Sequence, residues 1–463
     1  MTHPVIIQGG MGIGVSGWRL ARAVASRRQL GVVSGTAIAH VAAGRLRQGD
    51  DDLEAAFAAF PDANVAARAR ALCLRRDPAR PDGWRGLPMY TVDTPLALVA
   101  LTVVAAFAEV WLAKRGHEGV VGINLLEKVP LPTAPTLYGA MLAGVDYVLM
   151  GAGVPRAIPA LLDRLALHQS VEVRLPLAGA VPGDEAWSPF DPASIVSAPP
   201  PVRRPAFLAI VASEVLAQSL LRHASGRIDG FVVENALAGG HNAPPRGALR
   251  LDARGEPIYG PRDVADLPRV SALGLPFWLA GDRATSAAVA EALAAGATGV
   301  QVGTAFAFCR ESGIADDLKR RVLRAVVTGD VDVFTDPRAS PTGFPFKLAR
   351  IPGTIGDDAV YANRRRICDL GYLREAYRRA DGGIGYRCAG EPVEVFVAKG
   401  GDVTATVGRK CLCNGLMATI GLPQMRLDGA EPGMVTAGDS LRSLARFLGA
   451  GEDYSAADVL DAM

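Results

Sequence analysis

Short apolar runs alternate with longer amphipathic segments over most of residues 5–330. The short runs are bounded by glycine, proline or polar residues, which is typical of buried strands, and the segments between them have helical spacing. The predicted strands are residues 5–8, 30–34, 120–126, 147–150, 207–211, 230–233, 277–280 and 300–302. The predicted helices are residues 18–25, 50–74, 96–114, 137–143, 158–167, 214–223, 286–295 and 318–327.

This alternation predicts an α/β protein with a parallel sheet covered by helices. Eight strand–helix repeats favour a closed (β/α)8 TIM barrel, and an open doubly wound sheet is the alternative. We assign the barrel to residues 1–330, with insertions at about 180–205 and 248–268, and a cysteine-containing C-terminal extension to residues 331–463. The second insertion follows a candidate catalytic loop, so it is either a lid or a surface hairpin.

Composition restricts the class of protein. The chain has 463 residues, of which 49% are hydrophobic and 21% charged, as expected for a large globular enzyme. A net charge of +2 gives no electrostatic argument for a nucleic-acid or membrane partner. The longest apolar stretch, residues 96–108, is shorter than the roughly 20 residues that span a bilayer, so we predict a buried helix or subunit contact.

The beginning of the chain and its cysteines indicate the compartment. The first residues lead directly into a predicted strand, with no secretory signal, and six cysteines in so long a chain argue against a disulfide framework. We therefore expect a cytoplasmic protein, with a homo-oligomer compatible with the sequence.

Candidate functional residues cluster at the carboxyl ends of predicted strands, where TIM barrels place their active sites. His241 follows the sixth strand in the segment Ala238-Gly239-Gly240-His241, and a histidine can transfer a proton near neutral pH. Alone it would equally suit an exposed histidine in a glycine turn, but the shared location favours catalysis. The strand-end candidates are Met11, Asn124, Glu234, His241, Gly281, Gln301, Gly303 and Thr304.

A phosphate site is predicted after the seventh and eighth strands, at Gly281 and at Gly303-Thr304. Asp282 would repel a phosphate, so its carboxylate should point away or pair with Arg283. A cofactor with one phosphate and a flat ring would suit this barrel mouth, and FMN meets that description. The first turn, Gly9-Gly10-Met11-Gly12-Ile13-Gly14, lacks the glycine order and the acidic residue of a dinucleotide-binding fold.

Five segments carry a resemblance to a known family. They are Ile7-Gln8-Gly9-Gly10-Met11-Gly12, Gly122-Ile123-Asn124-Leu125, Ala238-Gly239-Gly240-His241, Leu279-Ala280-Gly281-Asp282 and Gly299-Val300-Gln301-Val302-Gly303-Thr304. In order and spacing the chain resembles the nitronate monooxygenase (2-nitropropane dioxygenase-like) FMN flavoproteins. The resemblance implies that His241 is the catalytic acid/base. It also implies FMN binding by Met11, Gly12, Asn124, Glu234, Gly239, Gly240, Gly281, Gln301, Gly303 and Thr304.

The implied reaction is the oxidation by O2 of nitronates, nitroalkanes or a related small acidic carbon substrate. The alternatives are an FMN-dependent enoyl reductase using NAD(P)H, and a non-flavin barrel or binding protein. Two departures bear on this. The family usually has Gln in place of Glu234, and the loop Asn242-Ala243-Pro244-Pro245-Arg246-Gly247 is stiff and cationic, which suggests a different pocket for an anionic substrate.

Four cysteines lie in the extension: Cys368, Cys388, Cys411 and Cys413. Arg409 and Lys410 precede the last two, and neighbouring cations favour the thiolate that reacts or binds metal. Four thiols could hold zinc or an iron–sulfur cluster. The C-x-C spacing is not the usual C-x2-C, so reduced structural or redox thiols are the alternative.

Overall fold

Eight parallel strands close into a barrel in the computed structural model of the chain, which describes residues 3–181, 183–449 and 451–463. Pro182, in the first predicted insertion, lies outside the described residues. Each strand pairs with its neighbours in chain order, and Ile6 of the first strand pairs with Val300 of the eighth. The TIM barrel is therefore confirmed. Its strands are Ile6–Gln8, Leu30–Ser34, Val121–Leu126, Tyr147–Gly151, Ala206–Val211, Gly230–Glu234, Phe277–Ala280 and Gly299–Val302.

The barrel strands are apolar on both faces because each face is covered. Ile7, Leu30, Leu149 and Trp278 are among the side chains that fill the interior, whereas the alternate positions pack against the outer helices. The Trp278 indole N–H donates to the carbonyl of Pro4 at 2.8 Å, which satisfies the one polar atom of that ring.

The helices of the barrel region follow the predicted order with two differences. The segment predicted as one helix over 50–74 is two helices, because Pro61 cannot continue the first and Asp62 caps the second by accepting from Asn64 N and Val65 N. The helices Ile38–Arg47, Leu267–Ser271 and Thr304–Ala307 were not predicted. The helices are Trp18–Ala25, Ile38–Arg47, Asp51–Ala58, Ala63–Cys73, Leu96–Ala113, Thr133–Leu142, Ile158–Ala166, Glu214–His223, Leu267–Ser271, Ser286–Ala294, Thr304–Ala307 and Asp316–Thr328, with 3-10 turns at Pro192–Ser194 and Pro261–Asp263.

The helix Leu96–Ala113 is long and apolar enough to cross a membrane by length and hydropathy alone. In the structure 72% of this segment is buried inside the protein, largely against Thr133–Leu142. It is therefore a buried helix, as predicted. Its acidic residue, Glu109, pairs with Arg45 and accepts from the Trp18 backbone N–H at 3.0 Å.

The C-terminal extension is attached to the barrel through shared sheets. Gly240–His241 pairs with Phe346–Ala349, and Leu177–Ala178, just before the first insertion, pairs with Glu375–Arg378. The remaining strands are Val171–Leu175, Ala186–Phe190, Val333–Asp336, Ile384–Arg387, Met425–Arg426 and Gly429–Ala430. The helices of the extension are Asp358–Asn363, Val393–Ala398, Leu412–Thr419, Ala445–Leu448 and Ala456–Asp461, with 3-10 turns at Val403–Thr406 and Asp439–Ser443.

The extension has a small apolar core of its own. Phe346, Leu348, Ile355, Leu412 and Met434 are buried there, and partly buried Leu416 packs against them. Because Phe346 and Leu416 also line the cavity at the barrel mouth, the folding of this core and the shape of the cavity are connected.

Candidate active site

One cavity lies at the carboxyl end of the barrel, where the loops after the strands converge. It is lined by every residue that the sequence proposed for catalysis or for the cofactor. These residues come from the first, third, sixth, seventh and eighth strands and the loops that follow them. They are Met11, Gly12, Asn124, Glu234, Gly239, Gly240, His241, Gly281, Gln301, Gly303 and Thr304. The fold thus brings the eleven together, and their individual roles stay predictions.

Gly281 and Gly10, which line the cavity, are positions that only glycine can occupy without a clash. Gly281 has φ of +99°, and an added Cβ would lie 1.8 Å from the Asn235 side-chain oxygen. A Cβ on Gly10 would lie 2.1 Å from that of Asn124. Gly303 differs, since its Cβ would meet only the Met11 sulfur at 3.8 Å, so this position borders open space in the cavity.

Two buried polar atoms around the cavity have no hydrogen-bond partner in the described part of the chain. They are the Gln301 side-chain oxygen and the Arg283 Nε. A buried polar group without a partner costs free energy, so both atoms favour a ligand that supplies one. An acceptor beside the eighth strand and a guanidinium beside the phosphate loops fit a flat ring and a phosphate, which FMN provides.

The predicted phosphate region has the polarity that an anion needs. Asp282 is exposed, and Arg283 forms its ion pair with Glu291 at 3.5 Å instead of with Asp282. The Thr304 hydroxyl accepts from the Gly438 backbone N–H at 2.9 Å, which leaves its own proton free for an anion. Arg283 was not among the residues proposed for the cofactor from the sequence.

His241 is fixed by the extension. It pairs in antiparallel register with Phe346, and its ring lies edge-on to the Phe346 ring at 4.9 Å between centroids. Its Nε2 is 2.7 Å from the Ser340 hydroxyl oxygen, which leaves Nδ1 without a hydrogen-bond partner among the described residues. Burial, and secondly the charge of Lys128, lower the pKa of His241 well below its usual value, so the ring is neutral at pH 7.

Glu234 ends the sixth strand beside Ala280 of the seventh. Burial raises the pKa of Glu234 to about 7, and no cation in the described part of the chain opposes this shift. Near neutral pH its carboxyl group is therefore part protonated and can donate a hydrogen bond into the cavity, as an amide would.

The comparisons with known proteins concern mainly the second half of the barrel. Residues 204–335 match the family model described as nitronate monooxygenase. A probable nitronate monooxygenase from Bacillus subtilis (strain 168) is 37% identical over 109 residues. That match spans 23% of this chain and 29% of the length of the relative.

In this region the chain resembles the nitronate monooxygenases. The matched range contains Glu234, His241, Gly281, Gln301, Gly303 and Thr304. The resemblance inferred from sequence motifs is confirmed, and FMN is the cofactor that the family implies.

Solved structures similar to the chain have low sequence identity. FabK from Thermotoga maritima is 16% identical, with 100% of this chain and 91% of that chain covered and a TM-score of 0.49. A nitroalkane oxidase from Streptomyces ansochromogenes is 16% identical, with 99% of this chain and 94% of that chain covered and a TM-score of 0.48. Substrate and reaction must therefore be argued from the site.

The extension covers part of the barrel mouth, next to the residues of the range that matches the nitronate monooxygenase model. It was not predicted to take part in the site. The signal in the sequence is weak: the four-residue spacing of Leu412 and Leu416 is compatible with one face of a helix, but it carries no information on what that face covers. The extension residues that line the cavity are Phe346, Tyr372, Leu373, Leu412, Cys413, Leu416, Thr436, Ala437 and Ser440.

The loop 242–247 and the second insertion, which were predicted to shape or cover the substrate pocket, do not line the cavity. Arg246 is exposed, and its backbone N–H donates to Asp263 at 2.7 Å. In the second insertion Leu251 bridges to Pro257, which confirms a hairpin, and Glu256 accepts from the Thr335 backbone N–H at 2.7 Å. No described residue from 242 to 268 lines the cavity, so the insertion is placed as a hairpin against the extension and not as a lid.

The metal site predicted at Cys368, Cys388, Cys411 and Cys413 is not supported. Within residues 3–181, 183–449 and 451–463, no group of three or more His, Cys, Asp or Glu side chains is placed to hold a metal ion. The expected effect of the neighbouring cations is outweighed by desolvation. Burial raises the pKa of Cys411 well above its usual value and that of Cys413 to about 12. Arg409 donates to backbone carbonyls, and Lys410 lies 3.9 Å from Asp336.

Proposed function

We propose that the chain is an FMN-dependent oxidoreductase that oxidises nitroalkanes, nitronates or a related small acidic carbon substrate with O2. The observation that carries the proposal is the position of His241. His241, whose Nδ1 has no hydrogen-bond partner among the described residues, lines the same cavity as Gln301 and Arg283, which each carry an unpartnered buried atom. A neutral imidazole beside a site suited to a flat ring and a phosphate is what abstraction of a carbon-bound proton requires.

In this proposal the protein residues have separate tasks. Gln301 binds the ring of FMN, while Arg283, Thr304 and the glycines at 281 and 303 bind its phosphate. When bound, FMN supplies the two-electron redox chemistry. His241 Nδ1 takes the proton from the substrate carbon, and the carbon keeps the electron pair.

The cavity wall supports a small substrate with an apolar substituent. The apolar side chains that line the cavity include Leu126, Ile210 and Leu237 from the barrel and Leu412 and Leu416 from the extension. These five side chains are uncharged, so this part of the wall offers no cation for a charged tail. This arrangement favours an alkyl group next to the acidic carbon.

The experiment begins with the cofactor. The purified protein, saturated with FMN, should show visible flavin absorption, and denaturation should release about one FMN per chain. Oxygen uptake should then follow addition of a nitroalkane or its preformed nitronate. Protein that cannot retain FMN would contradict the proposal. Rapid anaerobic bleaching by NAD(P)H, without oxygen uptake on either substrate, would identify a reductase instead.

A further inference from the structure

A continuous line of polar side chains leads from His241 away from the cavity. His241 Nε2 is 2.7 Å from Ser340 Oγ, and Ser340 Oγ is 2.8 Å from Thr342 Oγ1. The Lys128 ammonium donates to the same Thr342 oxygen at 3.3 Å. All three distances allow hydrogen bonds, so the four side chains form one connected chain.

The middle of this chain is held in place by the extension. Ser340 is fully buried, and its carbonyl accepts from the Arg409 guanidinium at 2.6 Å. Its hydroxyl oxygen also accepts from the Thr342 backbone N–H at 3.3 Å. These contacts fix the Ser340 hydroxyl between the imidazole and Thr342 without fixing the direction of its proton.

Lys128 is suited to the outer end of the chain. It is only partly buried, and the titratable groups that face it are Glu127 on its own loop and the neutral ring of His241 across the gap. The extension contributes the Thr342 hydroxyl and the ring of Phe344, whose centroid lies 3.2 Å from the Lys128 nitrogen. Burial lowers the pKa of Lys128 to about 7, so its amine can accept and release a proton near neutral pH.

A positive charge on His241 is unfavourable, because the ring is desolvated and faces Lys128. A base that had to keep the substrate proton on this ring would carry that cost in every turnover. A route that passes the proton to a partly solvated amine avoids it.

We propose that Ser340 and Thr342 relay the substrate proton from His241 to Lys128. The proposal rests on the function assigned to His241 above. As the substrate C–H bond breaks, its proton binds Nδ1, the Nε2 proton moves to Ser340, the Ser340 proton to Thr342, and the Thr342 proton to the neutral amine of Lys128. The electron pair remains on the substrate carbon, and the lysine ammonium later releases its proton to water. Before the next turnover the Nδ1 proton leaves to water in the emptied cavity, and one proton returns from water through Lys128, Thr342 and Ser340 to Nε2, so that one proton is released per cycle.

The first test replaces the terminal acceptor. Lys128→Arg keeps a cation in place, but a guanidinium cannot accept a proton. In the FMN-loaded enzyme, kcat/KM for a neutral nitroalkane should fall by about 10²-fold, at the lower end of the range for general acid–base catalysis. The wild-type rise in kcat/KM with an apparent pKa near 7 should disappear, while kcat/KM for the preformed nitronate should be unchanged. Lys114→Arg, at an ion pair with Asp146, is the matched control.

The second test removes the hydroxyl of Thr342 and keeps the size of the side chain nearly the same. Thr342→Val should cause the same loss, and Thr342→Ser, which keeps the hydroxyl, should restore most of the activity. A structural role for Thr342 would affect both substrates and leave the pH profile in place.

A third measurement needs no turnover. Below the pKa of Lys128 the hydrogen bonds should run from lysine to histidine and leave the proton on Nδ1. Above it they should reverse and place the proton on Nε2. Nitrogen NMR of the His241 ring should detect this change of tautomer in wild type and not in Thr342→Val. The relay is wrong if Lys128→Arg keeps the wild-type rate and pH profile, or if the tautomer does not change. If His241→Gln also keeps full activity, the proposed function itself is wrong.

Discussion

His241 and Ser340 lie 2.7 Å apart, from Nε2 to Oγ, although 99 positions separate them in the chain. The catalytic candidate belongs to the barrel, and its hydrogen-bond partner belongs to the extension. The extension therefore completes the site, because it orients the imidazole, supplies Phe346 beside it and covers part of the cavity. Several consequences can be measured.

The first prediction concerns the base. His241→Gln should lower kcat/KM for neutral nitroalkanes by about 10²–10⁴-fold, since it removes the proton acceptor. Preformed nitronates, which are already deprotonated, should lose much less activity. FMN content should remain normal because other residues bind the cofactor. Equal losses on the two substrates would mean that His241 is not the base.

The second prediction places the phosphate. Gly303 has φ of −109°, which any residue can adopt, and its Cβ would meet only the Met11 sulfur. Gly303→Val should therefore fold, and its side chain should occupy the cavity and weaken FMN binding, measured by flavin fluorescence titration. Gly281→Val is the contrast: the left-handed backbone and the clash with Asn235 should lower the melting temperature itself. Normal FMN affinity in Gly303→Val would contradict a phosphate site at Gly303.

The third prediction follows from the raised pKa of Glu234, about 7 in the folded protein against 4.5 for an ordinary Glu. Between these values the Glu234 carboxyl holds its proton in the folded state and not in the unfolded state, so the contribution of Glu234 to the free energy of unfolding should fall as pH rises, by up to about 1.4 kcal/mol per pH unit. Glu234→Gln should remove that dependence and be the more stable protein at pH 8, with little difference at pH 4. The free energy of unfolding of the cofactor-free wild type and Glu234→Gln proteins can be measured in urea at several pH values. An identical pH dependence in the two proteins would contradict the raised pKa of Glu234.

The fourth prediction concerns the reactivity of the six cysteine thiols. All six lie in the described residues, and Cys368 is the one that is not fully buried. A hydrogen bond with Cys388 lowers the pKa of Cys368, whereas burial raises that of Cys411. About one thiol per chain should react rapidly with Ellman's reagent in the native protein. Cys368→Ser should abolish this phase and Cys413→Ser should not. Rapid reaction of several thiols would contradict the burial of the other five cysteines.

The fifth prediction tests whether extension and barrel unfold together. Glu431 forms a buried ion pair with Arg364, and its second oxygen lies 3.8 Å from Arg426. Glu431→Ala leaves the buried Arg364 guanidinium without its acidic partner and should cost about 3–5 kcal/mol, whereas Arg426 keeps its ion pair with Asp369. Asp453→Ala removes an exposed partner of Arg310 in the same extension and should change little. If the shape of the cavity at the barrel mouth depends on the folded extension, Glu431→Ala should also lower the affinity for FMN. Unchanged FMN affinity would show that the cavity does not depend on the stability of the extension.

The barrel was predictable because its determinants are local. A strand buried on both faces must be apolar throughout, and a helix packed on a barrel must be apolar on one face, so the eight repeats appear directly in the sequence. Where a local rule was overlooked, the prediction was wrong. Pro61 divides the helix predicted over 50–74, and the Asp62 cap that begins the next helix was visible in the sequence.

The strand ends also followed from the sequence. In a closed parallel barrel all carboxyl ends meet at one mouth, so Asn124, Glu234, Gln301 and Thr304 had to be neighbours once the fold was recognised. What the sequence alone determined was therefore the barrel, the side on which its chemistry lies, and the likeness to nitronate monooxygenases.

The tertiary structure decided the environment of these residues. The fate of the cysteines depended on burial, which outweighed the charges of Arg409 and Lys410. The role of the extension depended on a two-residue strand pairing with Phe346 and on a hydrogen bond across 99 positions. Desolvation and long-range contacts are properties of the packed chain and leave no periodic trace in the sequence. For that reason the partners of His241 became visible only in the folded protein.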